Sequence, residues 1–230
     1  MKAVILAGGF GKRLKPLTDE RPKPMIEVLD KPIIEWQIKW LTNHGINDVI
    51  LCVGYMKERI MDHIGSGSKL GINAYYTVED TPLGTGGALK NAEVLLSNDE
   101  KFFLLNGDIL TNINPIRLKN ELSSGTEATI AVVPLPSPFG IVQIDKNSNV
   151  LGFTEKPKIT QFWINAGVYC LSNKIFDYLP ESGNIETTAL PALVKDKKLK
   201  AARFENAFWR SIDSHKDIEE AAKEIDTISK

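Results

Sequence analysis

The residues best equipped for chemistry sit in one early loop, Leu6-Ala7-Gly8-Gly9-Phe10-Gly11-Lys12-Arg13-Leu14-Lys15-Pro16-Leu17-Thr18, continued by Arg21-Pro22-Lys23-Pro24-Met25. Glycines at 8, 9 and 11 let the backbone pass close to a ligand and aim N–H groups at an anion. A dinucleotide fingerprint would need G-x-G-x-x-G opening directly into a helix, but Leu14 follows Gly11 at that spacing and Pro16, Pro22 and Pro24 oppose an early helix. A P-loop would need glycine at position 6, which is leucine. What remains is a long loop carrying Arg13 and Lys23, two cations able to reach a polyphosphate. Taken alone, the loop has a second, less favoured reading as a surface turn with solvated bases.

The elements that must hold this loop alternate. Apolar strand-like runs at Ala3–Leu6, Val49–Val53, Ile72–Tyr76 and Phe102–Leu105 are separated by helix-period segments at Pro32–Asn43, Met56–Ile64 and around Ala88, Ala92 and Leu95. Asn114-Pro115 reads as an N-cap with proline at the first helical position, and Gly125 as the stop. This βαβαβαβα rhythm predicts an α/β fold, a mostly parallel Rossmann-like sheet flanked by helices. From residue 128 the pattern changes to short strands (128–133, 140–144, 150–154, 165–171), which predicts a small β-rich second lobe on the same core. Ligands of parallel sheets bind beyond the carboxyl ends of the strands, so the loops after Leu6, Tyr76 and Leu105 are the places to look.

Composition bounds the function. The chain has 230 residues, 28 basic against 29 acidic, a net charge of −1, and two cysteines at 52 and 170. Near-neutrality argues against an extended nucleic-acid surface and leaves room for a local anion pocket. The cysteines lie in apolar runs without metal-type spacing, as expected of core thiols in a reducing compartment. No apolar run reaches the roughly 20 residues of a membrane span, and the first apolar run is too short for a signal peptide. The expected location is cytoplasmic, with no membrane partner.

The early loop resembles the signature of the sugar-phosphate nucleotidyltransferases, the NDP-sugar pyrophosphorylases. The likeness continues in order through Glu79-Asp80-Thr81-Pro82-Leu83-Gly84-Thr85-Gly86-Gly87, Asn106-Gly107-Asp108, Phe139-Gly140-Ile141-Val142, Glu155-Lys156-Pro157, Asn165-Ala166-Gly167-Val168-Tyr169 and Trp209-Arg210-Ser211-Ile212-Asp213. Seven blocks in register span residues 2 to about 217. Two positions depart from the pattern: Lys12 stands where threonine is usual, and Ser211 where many members carry a metal aspartate, so the late metal role falls to Asp213.

The resemblance implies NTP plus sugar 1-phosphate giving NDP-sugar plus pyrophosphate, with magnesium as cofactor. Such a reaction needs no protein nucleophile, since the sugar phosphate is itself an oxyanion whose second pKa is about 6. Arg13, with N–H groups of the Gly9–Lys12 stretch including Gly11, would hold the β- and γ-phosphates. Lys23 would sit nearer the α-phosphate, and Asp108 with Asp213 would bind Mg²⁺. The base would lie against Leu6, Ala7, Gly8 and Gly9, facing Glu79 and Gly84. Glu79 can only accept hydrogen bonds, which matches the adjacent N1–H and N2–H₂ donors of guanine. Lys156 and Glu155, assisted by Asn165 and the backbone at Gly140, would hold the sugar phosphate. GTP with mannose 1-phosphate, or a related hexose or heptose, is the leading substrate pair. A uridylyl- or thymidylyltransferase acting on glucose 1-phosphate and a non-catalytic sensor of the same fold are the alternatives. His44, His63 and His215 read as surface or capping residues. Phe162 and Trp163 point to a homodimer. The length points to a catalytic domain over 1–230 without an appended β-helix.

Overall fold

The structure is a computed structural model describing residues 1–225, so the last five of the expected 1–230 span lie outside it. Its strands are β1 (Lys2–Ala7), β2 (Glu27–Val28), β3 (Lys31–Pro32), β4 (Asp48–Val53), β5 (Asn73–Val78), β6 (Lys101–Asn106), β7 (Ile109–Thr111), β8 (Ala128–Pro136), β9 (Ile141–Ile144), β10 (Val150–Thr154), β11 (Lys158–Ser172), β12 (Leu199–Arg203) and β13 (Trp209–Ser211). The helices are α1 (Ile33–Asn43), α2 (Lys57–Ile64), α3 (Gly84–Asn91), α4 (Glu93–Leu96), α5 (Pro115–Glu121), α6 (Ala189–Lys195) and α7 (His215–Glu224).

Seven strands form one sheet in the order β12-β8-β11-β6-β1-β4-β5. The run β6-β1-β4-β5 is parallel, as the alternating pattern predicts. β11 then pairs antiparallel with both β6 and β8, and β12 adds a parallel edge. Alternate residues of each strand face opposite sides, so Ala3, Ile5, Phe103 and Leu105 enter one core with α1, α2 and α7. Val4, Phe102 and Leu104 enter another, with α3, α4 and α6. Trp36, Trp40, Phe102 and Phe103 are buried, as their apolar settings suggest.

After residue 128, β8, β11 and β12 extend the central sheet, and the β9–β10 hairpin forms a small antiparallel sheet beside it, as β2–β3 and β7–β13 do elsewhere. The change of pattern marks the passage from parallel to antiparallel pairing within one sheet, a register property that a run of apolar residues does not encode. Asn114 does cap α5, its side chain accepting the Ile116 N–H at 2.9 Å, but α5 ends at Glu121 rather than at Gly125. The early loop contains three single 3₁₀ turns, Lys12–Leu14, Leu17–Asp19 and Lys23–Met25, and no α-helix.

Candidate active site

Strand register builds the site. Ala7 lies opposite Val53, and Val53 opposite Val78, so the next residues, Gly8, Gly54 and Glu79, leave the sheet side by side. A Cβ on Gly8 would meet Glu79 Oε1 at 2.1 Å, and one on Gly54 would meet the Glu79 side chain at 2.8 Å. The two glycines are therefore the bed on which this carboxylate lies. Its Oε2 accepts the Leu83 N–H at 3.1 Å, which fixes the side chain and leaves acceptor capacity on Oε1. On the other side Leu6 pairs with Asn106, and Gly107 donates its N–H to Leu6 O at 3.0 Å. No side chain fits at 107, because a Cβ there would stand 2.2 Å from Leu6 O.

Between these edges lies a cavity of about 270 Å³ lined, among others, by Leu6, Ala7, Gly8, Gly9, Lys23, Glu79, Gly84 and Asp108. All eight are residues the sequence singles out. Phe10, Thr85, Asn106 and Asn184 line it too, without having been assigned roles. Asn106 stood within a recognised block. Its side-chain Oδ1 is buried and without a hydrogen-bond partner among the described residues. Asn184 had no local signal, since it comes from a segment about 100 residues away in sequence. That segment explains Gly84, Gly86 and Gly87. Gly183 O accepts the N–H groups of Gly86 (2.9 Å) and Gly87 (3.2 Å), and a Cβ on any of the three glycines would meet residues 180–185 at 2.6–3.1 Å. The start of α3 is thus capped by protein rather than offered to a phosphate.

A charged cluster adjoins the cavity. Lys23 Nζ lies 2.6 Å from Asp108 Oδ2 and 2.7 Å from Asp213 Oδ1, and Arg13 reaches the same Asp213 oxygen at 2.8 Å. Gly11 permits this packing, as a Cβ there would stand 2.9 Å from Lys23 Cβ. Burial pushes the Asp213 carboxyl up, but hydrogen bonds from Lys23 and Ser211 and the charges of Lys23 and Arg13 outweigh it and hold it below the usual carboxylate range. The short β7–β13 ribbon, with Ser211 opposite Ile109, brings Asp213 beside Asp108 from the far end of the chain.

The donor set suits magnesium. It consists of two carboxylates converging on one cation, here an ammonium, without histidine or thiol. Among the described residues no group of three or more acidic, histidine or cysteine side chains is arranged to hold a metal ion, so phosphate oxygens and water would complete the shell.

The remaining expected residues lie apart from the cavity wall. Arg13 is 76% exposed and Lys156 50%. Glu155 flanks Gly140, and Lys156, at φ 45°, pairs with Glu155 at 3.5 Å at the exposed base of the hairpin. Asn165 accepts the Gly167 N–H and donates to Tyr169 Oη, a fold-supporting arrangement. His63 meets Glu35, and His44, at the end of α1, bonds Trp40 O.

Residues 2–228 match the nucleotidyl transferase family. The mannose-1-phosphate guanylyltransferase catalytic subunit beta of Dictyostelium discoideum is 40% identical over 226 residues, 95% of this chain and 62% of its own length. The mannose-1-phosphate guanyltransferase of Gibberella zeae is 38% identical over 95% of this chain, again 62% of its own length. The chain therefore spans about three fifths of these curated relatives. Among solved structures, HddC from Yersinia pseudotuberculosis superposes with a TM-score of 0.77 at 30% identity, covering 97% of this chain and 98% of its own. The same protein has been crystallised with GMP-PN.

Proposed function

The chain belongs to the nucleotidyl transferase family, and from that premise we propose that it transfers a nucleotidyl group from an NTP to a sugar 1-phosphate, with GTP and mannose 1-phosphate as the favoured pair. The sugar phosphate oxygen attacks the α-phosphorus, the bond to the β-phosphate bridging oxygen breaks, and pyrophosphate leaves. No protein nucleophile takes part, and rate comes from holding two anions together and neutralising their charge.

One observation carries the reading: the Glu79-floored cavity opens directly onto the Lys23–Asp108–Asp213 cluster. A base seated on Gly8 and Gly9 meets a carboxylate that only accepts hydrogen bonds, so adjacent donors are preferred and guanine supplies them. The names of the curated relatives and the GMP-PN complex of HddC support the same base. Lys23 lies where it can pass from the carboxylates to the α-phosphate, and Arg13 at the mouth can grip the outer phosphates. A magnesium ion held by Asp108 and Asp213 would neutralise phosphate charge. Glu155 and Lys156 at the base of the hairpin, with Gly140 and Asn165, are the proposed sugar-phosphate side.

Pyrophosphate release from a matrix of five NTPs against several sugar 1-phosphates tests this. GTP with mannose 1-phosphate should give the highest kcat/KM. Release with UTP or TTP and glucose 1-phosphate in preference would move the assignment to the other branch, and nucleotide binding without turnover would mean a sensor.

A further inference from the structure

One polar side chain lies deep in the core on α1. Gln37 is 3% exposed, on a helix whose Ile33, Ile34, Ile38 and Leu41 are buried with it. A position that needed only volume would carry leucine or methionine, since a buried amide costs free energy unless it is hydrogen-bonded. Its Nε2 donates to two backbone carbonyls, Asn106 O at 2.8 Å and Ile109 O at 2.9 Å. Two acceptors at one end fix the orientation of the amide, because only an NH₂ group can serve both. The Oε1 at the other end is buried without a partner among the described residues. The amide is thus placed for its donors, against the cost of a stranded acceptor.

The two carbonyls straddle Gly107-Asp108. Asn106 ends β6 in the central sheet, and Ile109 begins β7, which leaves that sheet for the ribbon with β13. A strand that changes sheets loses ladder partners at the joint, and its buried carbonyls must be satisfied from elsewhere. Gln37 serves both sides of this joint with one amide. The turn is also tied by the Gly107 N–H on Leu6 O at 3.0 Å and the Ile212 N–H on Asp108 O at 2.9 Å. The joint therefore sets the direction in which Asp108 leaves β6. Through the β7–β13 ribbon it also sets the place of Asp213. Both carboxylates must converge to share Lys23 at 2.6 and 2.7 Å.

We infer that Gln37 is a positioning residue for the Asp108–Asp213 pair, acting through the β6–β7 turn and outside the wall of the nucleotide cavity. The inference rests on the reading that this pair binds a divalent cation. Groups that orient metal-binding carboxylates change metal affinity about 10–100-fold when removed. Without the Gln37 donors two buried carbonyls are stranded, the turn relaxes, and the carboxylates lose their fixed separation. The base floor, built from the ends of β1, β4 and β5, is untouched.

Mn²⁺ is the probe, with its free concentration read by electron paramagnetic resonance during titration into the full chain without nucleotide. Gln37→Met, which keeps the bulk and loses both donors, should raise the Mn²⁺ dissociation constant at least about tenfold. Its kcat for pyrophosphate release should fall at least about tenfold, with KM for the NTP changed less than about threefold. Trp40→Phe is the control for a merely structural bond. Trp40 Nε1 donates to Ile113 O at 2.8 Å, a buried contact from the same helix to the segment after β7. This variant should lower Tm while leaving Mn²⁺ affinity and kcat unchanged. Should Gln37→Met not fold by circular dichroism, Gln37→Leu replaces it. Wild-type Mn²⁺ affinity in the Gln37 variant, or an equal loss in Trp40→Phe, overturns the inference alone. A wild type that binds no Mn²⁺ overturns the metal reading of Asp108 and Asp213, and the inference with it.

Discussion

Replacing Lys23 by methionine removes the one ammonium that holds Asp108 and Asp213 together, at 2.6 and 2.7 Å, while keeping most of the side chain's bulk. Two carboxylates left facing each other across one lysine's width repel by roughly 1–3 kcal/mol at the effective dielectric of a partly wet site. Breaking a fully buried pair costs about 3–5 kcal/mol, and these groups are 13%, 27% and 25% exposed, so a smaller cost applies. A loss of about 2 kcal/mol corresponds to a fall in Tm of roughly 4–8 °C for a chain of this size. The sign of the magnesium effect then separates a counter-ion from a spacer. In chelator the variant should melt below wild type. Added Mg²⁺ should restore more stability to the variant than it gives wild type, because the divalent ion takes the vacated place between the carboxylates. Catalysis should not recover, since kcat/KM keeps a deficit of a hundredfold or more, about 2.7 kcal/mol, from the lost phosphate contact. Thermal unfolding with and without Mg²⁺ reads the first part and pyrophosphate release the second. Equal melting of both proteins in chelator, with equal Mg²⁺ shifts, would refute the bridging role of Lys23.

Three further outcomes follow from the same geometry. Glu79→Gln turns an acceptor-only floor into a donor–acceptor one, so kcat/KM for GTP should fall at least about tenfold, roughly 1.4 kcal/mol, relative to UTP or TTP; an unchanged preference in the NTP matrix would place base reading elsewhere. Gly54→Ala puts a methyl 2.8 Å from the Glu79 side chain, so KM for the nucleotide should rise about tenfold; an unaltered KM would show that Glu79 need not lie where it does. Burial pushes the Cys52 and Cys170 thiols up to about 12, so neither is a thiolate at pH 8. A chromogenic disulfide reagent should find no reactive thiol in the native protein and two after denaturation, and a fast native reaction would contradict the burial.

The sequence alone determines the local chemistry. The glycine loop with its interrupting prolines, the Asn114 cap, the alternating elements through residue 125 and the burial of Phe102 and Phe103 are all set by turn residues and periodicity within a few positions. The ordered motif blocks single out Glu79, Asp108 and Lys23 as candidate site residues. Tertiary structure decides what depends on register between distant strands. The pairing of Ala7, Val53 and Val78 lines up Gly8, Gly54 and Glu79. The β7–β13 ribbon carries Asp213 to Lys23 across 190 positions. Segment 180–185 caps α3 and shows that Gly84, Gly86 and Gly87 serve close packing, which their sequence pattern alone left open. It also brings in Asn184, which no nearby residue announces. β8 and β11 join the central sheet for the same reason: a strand's apolar pattern says that it is buried, and only its partners decide where.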